Sequence, residues 1–115
     1  MPALILMAAG WAAPVDRTPL DKYVAAPDPS FRYQLVRTLK GPGWNAYVLE
    51  LTSQTWLRPE EVDRTLWQHW LTIVKPDKLT TDMALMLIGG GNNGSKPPER
   101  VDAAATLIAT AVGSV

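Results

Sequence analysis

Polar and apolar residues first alternate between Tyr33 and Lys40, with Tyr33, Leu35 and Arg37 on one side and Gln34, Val36 and Thr38 on the other. A period of two is the pattern of a strand. A second run rich in aromatic and branched residues, Trp44 to Leu51, follows Gly41-Pro42-Gly43. Two such runs joined by a short glycine-containing loop predict a β-hairpin. A third strand is predicted from His69 to Lys75, where Trp70, Thr72 and Val74 alternate with Leu71 and Ile73 before Pro76-Asp77-Lys78 stops it. Between hairpin and third strand, the proline-led stretch Pro59 to Arg64 predicts a turn of helix.

The pattern changes at Met83. Met83 to Ile88 is an apolar run without alternation, ending in Gly89-Gly90-Gly91-Asn92-Asn93-Gly94. A strand with no polar face is buried on both sides, as in a parallel sheet. A helix is then predicted to begin at Pro98, with Glu99 and Asp102 at the positive end of its dipole. Val101, Ala104, Ala105, Ile108 and Val112 recur at helical spacing, and Gly113 supplies the stop. The fold class these elements predict is α/β: an antiparallel hairpin, further strands and one covering helix. A buried strand, a loop and a helix need a return strand beside the first. That return would begin at the last residues, so the expectation is the N-terminal part of a larger, truncated domain spanning residues 14–115.

The residues before the hairpin read differently. Val15 to Ser30 is rich in proline and aspartate, which predicts an ordered arm with one helical turn at Asp21-Lys22-Tyr23-Val24 and Tyr23 as its anchor. Residues 1–13 carry the apolar run Leu4-Ile5-Leu6-Met7-Ala8-Ala9, too short to span a bilayer. Gly10 and Ala12 stand at the small-residue positions of a cleavage after Ala12. This reads as a partial secretory signal, although no basic residue precedes the run. The alternative is a hydrophobic N-terminus that packs on the core. Export, either secreted or periplasmic, is the expectation.

Composition narrows the chemistry. Lysine plus arginine equals aspartate plus glutamate, 11 each, so the chain lacks the basic excess of a nucleic-acid binder. No stable membrane span is predicted. There are no cysteines, which excludes disulfides and thiolate zinc sites, and one histidine, His69, limits imidazole chemistry to a single residue. No metal and no cofactor is expected.

The glycine loop is the one constellation with chemical content. As a phosphate loop it fails, because Ser95-Lys96-Pro97 stands where a lysine followed by a hydroxyl is required. Gly89, Gly91 and Gly94 match the dinucleotide spacing, but Ser95 to Pro98 delay the helix that should start inside that motif. The third reading is an oxyanion-hole loop, with the amides of Gly90, Gly91 and Asn92 aimed at a developing oxyanion and Ile88 where esterases place a histidine. A glycine turn serving only a tight corner fits the spacing equally well.

Several strings resemble the PhoPQ-activated pathogenicity-related protein family. They are Thr18-Pro-Leu-Asp-Lys-Tyr-Val-Ala-Ala-Pro-Asp-Pro29, Thr52-Ser-Gln-Thr-Trp56, Glu61-Val-Asp-Arg64, Trp67-Gln-His-Trp-Leu-Thr-Ile-Val-Lys-Pro76 and Ile88-Gly-Gly-Gly-Asn-Asn-Gly94. The resemblance covers the chain from about Thr18 onward. It implies an exported protein similar to α/β-hydrolases and several-fold longer, acting on an unidentified small-molecule or peptide ester or amide. It also implies that a nucleophile, acid and histidine would lie in a later region. None of Ser53, Ser95 or Ser114 sits in a G-x-S-x-G elbow. The chain alone is therefore expected to be inactive, its partner being the missing C-terminal part of its own fold. The competing class is a secreted, non-enzymatic signalling or surface-defence protein on the same scaffold.

The remaining candidates have plainer readings. His69, flanked by Trp67 and Trp70, fits a structural role. Trp56, Trp67 and Trp70 are read as packing residues rather than cleft walls. Glu60, Glu61 and Asp63 are read as a solvated acidic turn rather than a cation site.

Overall fold

The hairpin turn fixes the architecture. Pro42 holds its own φ near the value a first turn position needs, and Gly43 takes φ 78°, the residue pattern of a type II turn. In the computed structural model, which describes residues 16–115, this turn joins β1 (Arg32–Gly41) to β2 (Trp44–Thr55). β3 (Leu66–Pro76) pairs with the other edge of β2, giving a three-stranded antiparallel sheet of order β1-β2-β3. The segment read as an export signal, residues 1–13, lies outside the described residues.

The register divides the sheet into two faces. Val48 pairs with Thr72, and Ala46 with Leu39 and Val74. The side chains of this set point to an inner face, where Ala46, Val48 and Val74 are buried. Helix α2 (Ala103–Val112) covers that face, with Ala109 against Ala46 and Val74 and with Leu39, Trp44, Val101 and Ala105 closing around them. The alternate positions, including Leu35, Leu49, Leu51, Leu71 and Ile73, form an outer face. β-bulges at Val36 and Ser53 add a residue to β1 and β2 respectively, where the pairing slips by one.

Helix α1 (Pro19–Ala25) is longer than the single turn the sequence predicts. Thr18 and Asp21 cap it reciprocally: Asp21 N–H donates to Thr18 Oγ1 at 3.2 Å, and Thr18 N–H donates to Asp21 Oδ2 at 2.8 Å. Bonds from Thr18 hold the Asp21 carboxyl below its usual range, first through the side chain and then through the backbone. Tyr23 anchors the arm as expected. Its hydroxyl donates to Gln54 Oε1, and its ring meets Trp56 edge-on at 5.6 Å.

Two expectations need correction. Met83 to Ile88 is not a buried strand: it joins no sheet, and Ile88 is 89% exposed. No edge of the three-stranded sheet pairs with it. Its ties are to the residues after α2, where Leu85 N–H donates to Val115 O at 2.9 Å and Ser114 Oγ donates to Met83 O at 2.7 Å. Earlier in the segment, Thr80 N–H donates to Gly113 O at 2.8 Å, so the two stretches advance in the same direction.

The second correction is the start of the last helix. It begins at Ala103, not Pro98, because Asp102 is the N-cap and accepts from the amides of Ala104 and Ala105 at 2.8 and 3.1 Å. Val101 is drawn into the core before the helix starts, and the Pro98 carbonyl is taken by Arg37 at 3.3 Å. Glu99 therefore stands outside the helix. Gly113 does end it, in the left-handed conformation at φ 68°. Pro59 to Arg64 forms no more than the single turn expected, with Arg58 O accepting from Glu61 N–H at 2.9 Å and from Val62 N–H at 3.2 Å.

Candidate functional site

The glycine loop hangs beside the inner face at the end of the sheet away from the hairpin turn. Two bonds set its position just beyond the glycines. Trp70 Nε1 donates to Ser95 O at 2.8 Å, and Arg37 Nη1 donates to Pro98 O at 3.3 Å. The loop turns back on itself where Ser95 N–H donates to Asn92 O at 3.3 Å, and Gly94 takes φ 75° in that turn. Gly94 thus needs to be glycine for its backbone. Gly89, Gly90 and Gly91 differ, since a Cβ built on any of them meets nothing within 4 Å.

Their amides, with that of Asn92, have no hydrogen-bond partner among the described residues. Run Gly90 to Asn92, read as the oxyanion loop, is exposed and unobstructed. Beside it, an open concavity of ≈ 620 Å³ lies between Asn93 and Gly94 on one wall and the β2–β3 connection on the other. Val62 and Leu66 give that wall apolar surface, and Asp63, Arg64 and Gln68 give it charge and carboxamide. Where the chain leaves β2 for this connection, Leu57 takes a left-handed φ of 60°, unusual for a side chain of its size.

The structure does not bring His69 to this site. His69 lies on the outer face, where its Nε2 is 3.0 Å from Ser53 Oγ and its ring is tilted against Trp67 at 6.1 Å. The bulge at Ser53 makes that contact, and neither residue type nor spacing announced it, because the second strand was predicted to end at Leu51, before Ser53. No carboxylate bonds to His69 among the described residues, so the pair lacks the third group that orients a catalytic histidine. The tryptophans divide between tasks. Trp70 holds the glycine segment, Trp56 packs on Tyr23, and Trp67 leans on His69. Of the acidic turn, Glu61 is engaged locally, receiving Arg58 N–H at 3.2 Å.

The described residues hold no helix long and apolar enough to cross a membrane. They define a mixed α/β protein: an antiparallel sheet covered on one face by a helix, with an open glycine loop between an apolar segment and that helix. The chain belongs to the PhoPQ-activated pathogenicity-related protein family, whose profile matches residues 20–115. It is 37% identical over 113 residues to autocrine proliferation repressor protein A of Dictyostelium discoideum, and the match covers 97% of this chain but only 23% of that protein. No solved structure matches the chain.

Proposed function

We propose that this chain is the N-terminal part of an exported α/β-hydrolase-like protein, in which the amides of Gly90, Gly91 and Asn92 stabilise the oxyanion of an ester or amide undergoing acyl transfer. One observation carries the reading. An apolar segment, a glycine loop, helix α2 and a stretch running in the direction of the first succeed one another, and the loop's amides are unspent among the described residues. That is the order in which hydrolases place an oxyanion loop after a central strand. The nucleophile, acid and base belong to family-length sequence beyond the region matched here. The chain by itself turns over no ester.

The test uses a family-length protein carrying this segment and a p-nitrophenyl ester. Gly91→Pro removes one amide donor, and Gly91→Ala keeps it, with open space for the added carbon. Loss of one oxyanion donor lowers kcat by about 10²–10³-fold, so Gly91→Pro should fall in that range with KM little changed and Gly91→Ala should stay near the parent. Equal activity in both variants would remove the loop from the chemistry.

A second reading is an exported signalling protein on the same scaffold without turnover. The name of the Dictyostelium relative, which describes an autocrine repressor of proliferation, favours it. A family-length protein whose elbow serine is replaced, and which nonetheless represses proliferation, would establish that reading.

A further inference from the structure

Arg37 and Trp70 stand on opposite edges of the sheet and reach the same short stretch of chain. Strand register sets Arg37 beside Val48 and Trp70 beside Glu50, two positions apart on β2, so both lie on the inner face. For Arg37 that placement depends on the bulge. Leu35 pairs with Leu49 on the outer face, so an unbroken strand would turn Val36 inward and Arg37 outward. The extra residue at Val36 turns Arg37 in.

What the two residues hold is stiff. Arg37 Nη1 donates to Pro98 O at 3.3 Å, and Trp70 Nε1 donates to Ser95 O at 2.8 Å. Three residues of extended chain cover about 10 Å, and the strands on either side of a central one stand about 10 Å apart. Ser95 to Pro98 therefore crosses β2 from one edge of the sheet to the other. Pro97 and Pro98 fix their own φ and keep Lys96 and Pro97 extended, so the crossing is a strut that resists bending. Both prolines are half-buried, whereas the residues from Asp82 to Lys96 are exposed. One residue joins the strut to the glycine run: Ser95 accepts from Trp70 at its carbonyl and donates its N–H to Asn92 O at 3.3 Å.

We propose that Arg37 and Trp70 are positioning residues for the oxyanion donors. Anchored at both ends, the strut fixes the Asn92–Ser95 turn and, through it, the direction of the Gly90, Gly91 and Asn92 amides. Neither side chain touches the reacting atoms. The inference rests on the acyl-transfer reading above, and adds that both edges of the sheet act on the loop. A misplacement of about 1 Å can cost about 10²-fold in rate, and losing one of two anchors should displace the donors less and cost about 10-fold.

The test uses a family-length protein and a p-nitrophenyl ester. Trp70→Phe keeps an aromatic ring and loses the Nε1 donor; Arg37→Met keeps an unbranched stem and loses the guanidinium. Each should lower kcat about 10-fold with KM little changed, after rates are scaled to the folded fraction. A trifluoromethyl ketone, whose adduct with the nucleophile carries an oxyanion, should lose affinity by the factor that kcat/KM loses. Trp56→Phe, whose ring packs on Tyr23 instead, should keep the parent values. Parent kcat and parent inhibitor affinity in both anchor variants, with Gly91→Pro impaired, would overturn the positioning role and leave the oxyanion loop standing. So would a change confined to KM. Parent kcat in Gly91→Pro as well would overturn both.

Discussion

Replacing Gly113 with alanine tests how α2 is fastened to the segment that leads into the glycine loop. Gly113 is buried, sits at φ 68° and closes the helix by donating its N–H to Ala109 O at 2.9 Å. A Cβ there would strike Thr80 Oγ1, lie 2.9 Å from Thr80 Cγ2 and lie 3.1 Å from Lys78 O. The left-handed conformation costs an L-residue about 1–2 kcal/mol, and forcing a methyl into a filled space costs about 1–3 kcal/mol. Thr80 cannot swing away freely, because its hydroxyl donates to Val112 O at 2.8 Å. Gly113→Ala should therefore destabilise the chain by about 3 kcal/mol, a large share of a small domain's stability. Urea unfolding followed by tryptophan emission reads it, since Trp44 packs in the core under α2. At a slope of about 1.5 kcal/mol per molar, the midpoint should fall by about 2 M. The paired change Thr80→Ala removes the clash, so the double variant should be less destabilised than the two single effects added together. Gly89→Ala, with nothing within 4 Å of its added carbon, should shift the midpoint hardly at all. If Gly113→Ala moves it by less than about 0.5 M, the packing described between α2 and Thr80 is wrong.

Two further outcomes follow from local bonds. Asp102→Ala strips two amide bonds from the N-cap of α2 and should cost about 1 kcal/mol in the same assay, with Asp102→Asn largely retaining the parent midpoint. Asp28 receives Ser30 Oγ at 2.6 Å, Ser30 N–H at 2.8 Å and Thr55 N–H at 2.8 Å; the Ser30 hydroxyl first, then these amides, hold its carboxyl below 3.8. A depressed folded pKa contributes stability above the unfolded value and loses it as pH falls through the folded one. The midpoint gap between parent and Asp28→Ala should thus be constant near neutrality and close below about pH 4; a gap that persists in stronger acid would contradict the bonding.

The hairpin and third strand were legible because their alternation is local and survives folding. Both sides of the Gly41-Pro42-Gly43 turn were placed correctly, but β2 runs on from its predicted end at Leu51 to Thr55, and β3 gains Leu66 to Gln68 and Pro76. Bulges were not legible. Val36 and Ser53 break the alternation by one residue without any residue type that marks it, and Ser53's contact with His69 was hidden for that reason. The start of α2 was misplaced because Pro98 and Asp102 both carry helix-start signals, and the choice between them was made by Val101 docking in the core. The cap on α1, made by Thr18 with Asp21, was not read from the sequence, which placed only one turn at Asp21 to Val24. The openness of Gly89 to Gly91, as opposed to the strict need at Gly94, follows from coordinates alone.

Met83 to Ile88 shows what a hydrophobic run records. Six apolar residues without alternation state that two faces of a strand are to be covered, but not by what. Among the described residues, the bonds that tie the run to other elements come from Ser114 and Val115 and reach Met83 and Leu85, beside a local bond from Met83 N–H to Thr81 Oγ1. Ile88, immediately before the glycines, is 89% exposed. The glycine loop is therefore pinned at its far end by Trp70 and Arg37 and unsupported at its near end. An oxyanion hole needs donors held in place before the charge develops. The proposed role thus makes a structural demand: whatever pairs with Met83 to Ile88 must also be what rigidifies Gly90 to Asn92, so assembly of that sheet and competence of the loop should appear together.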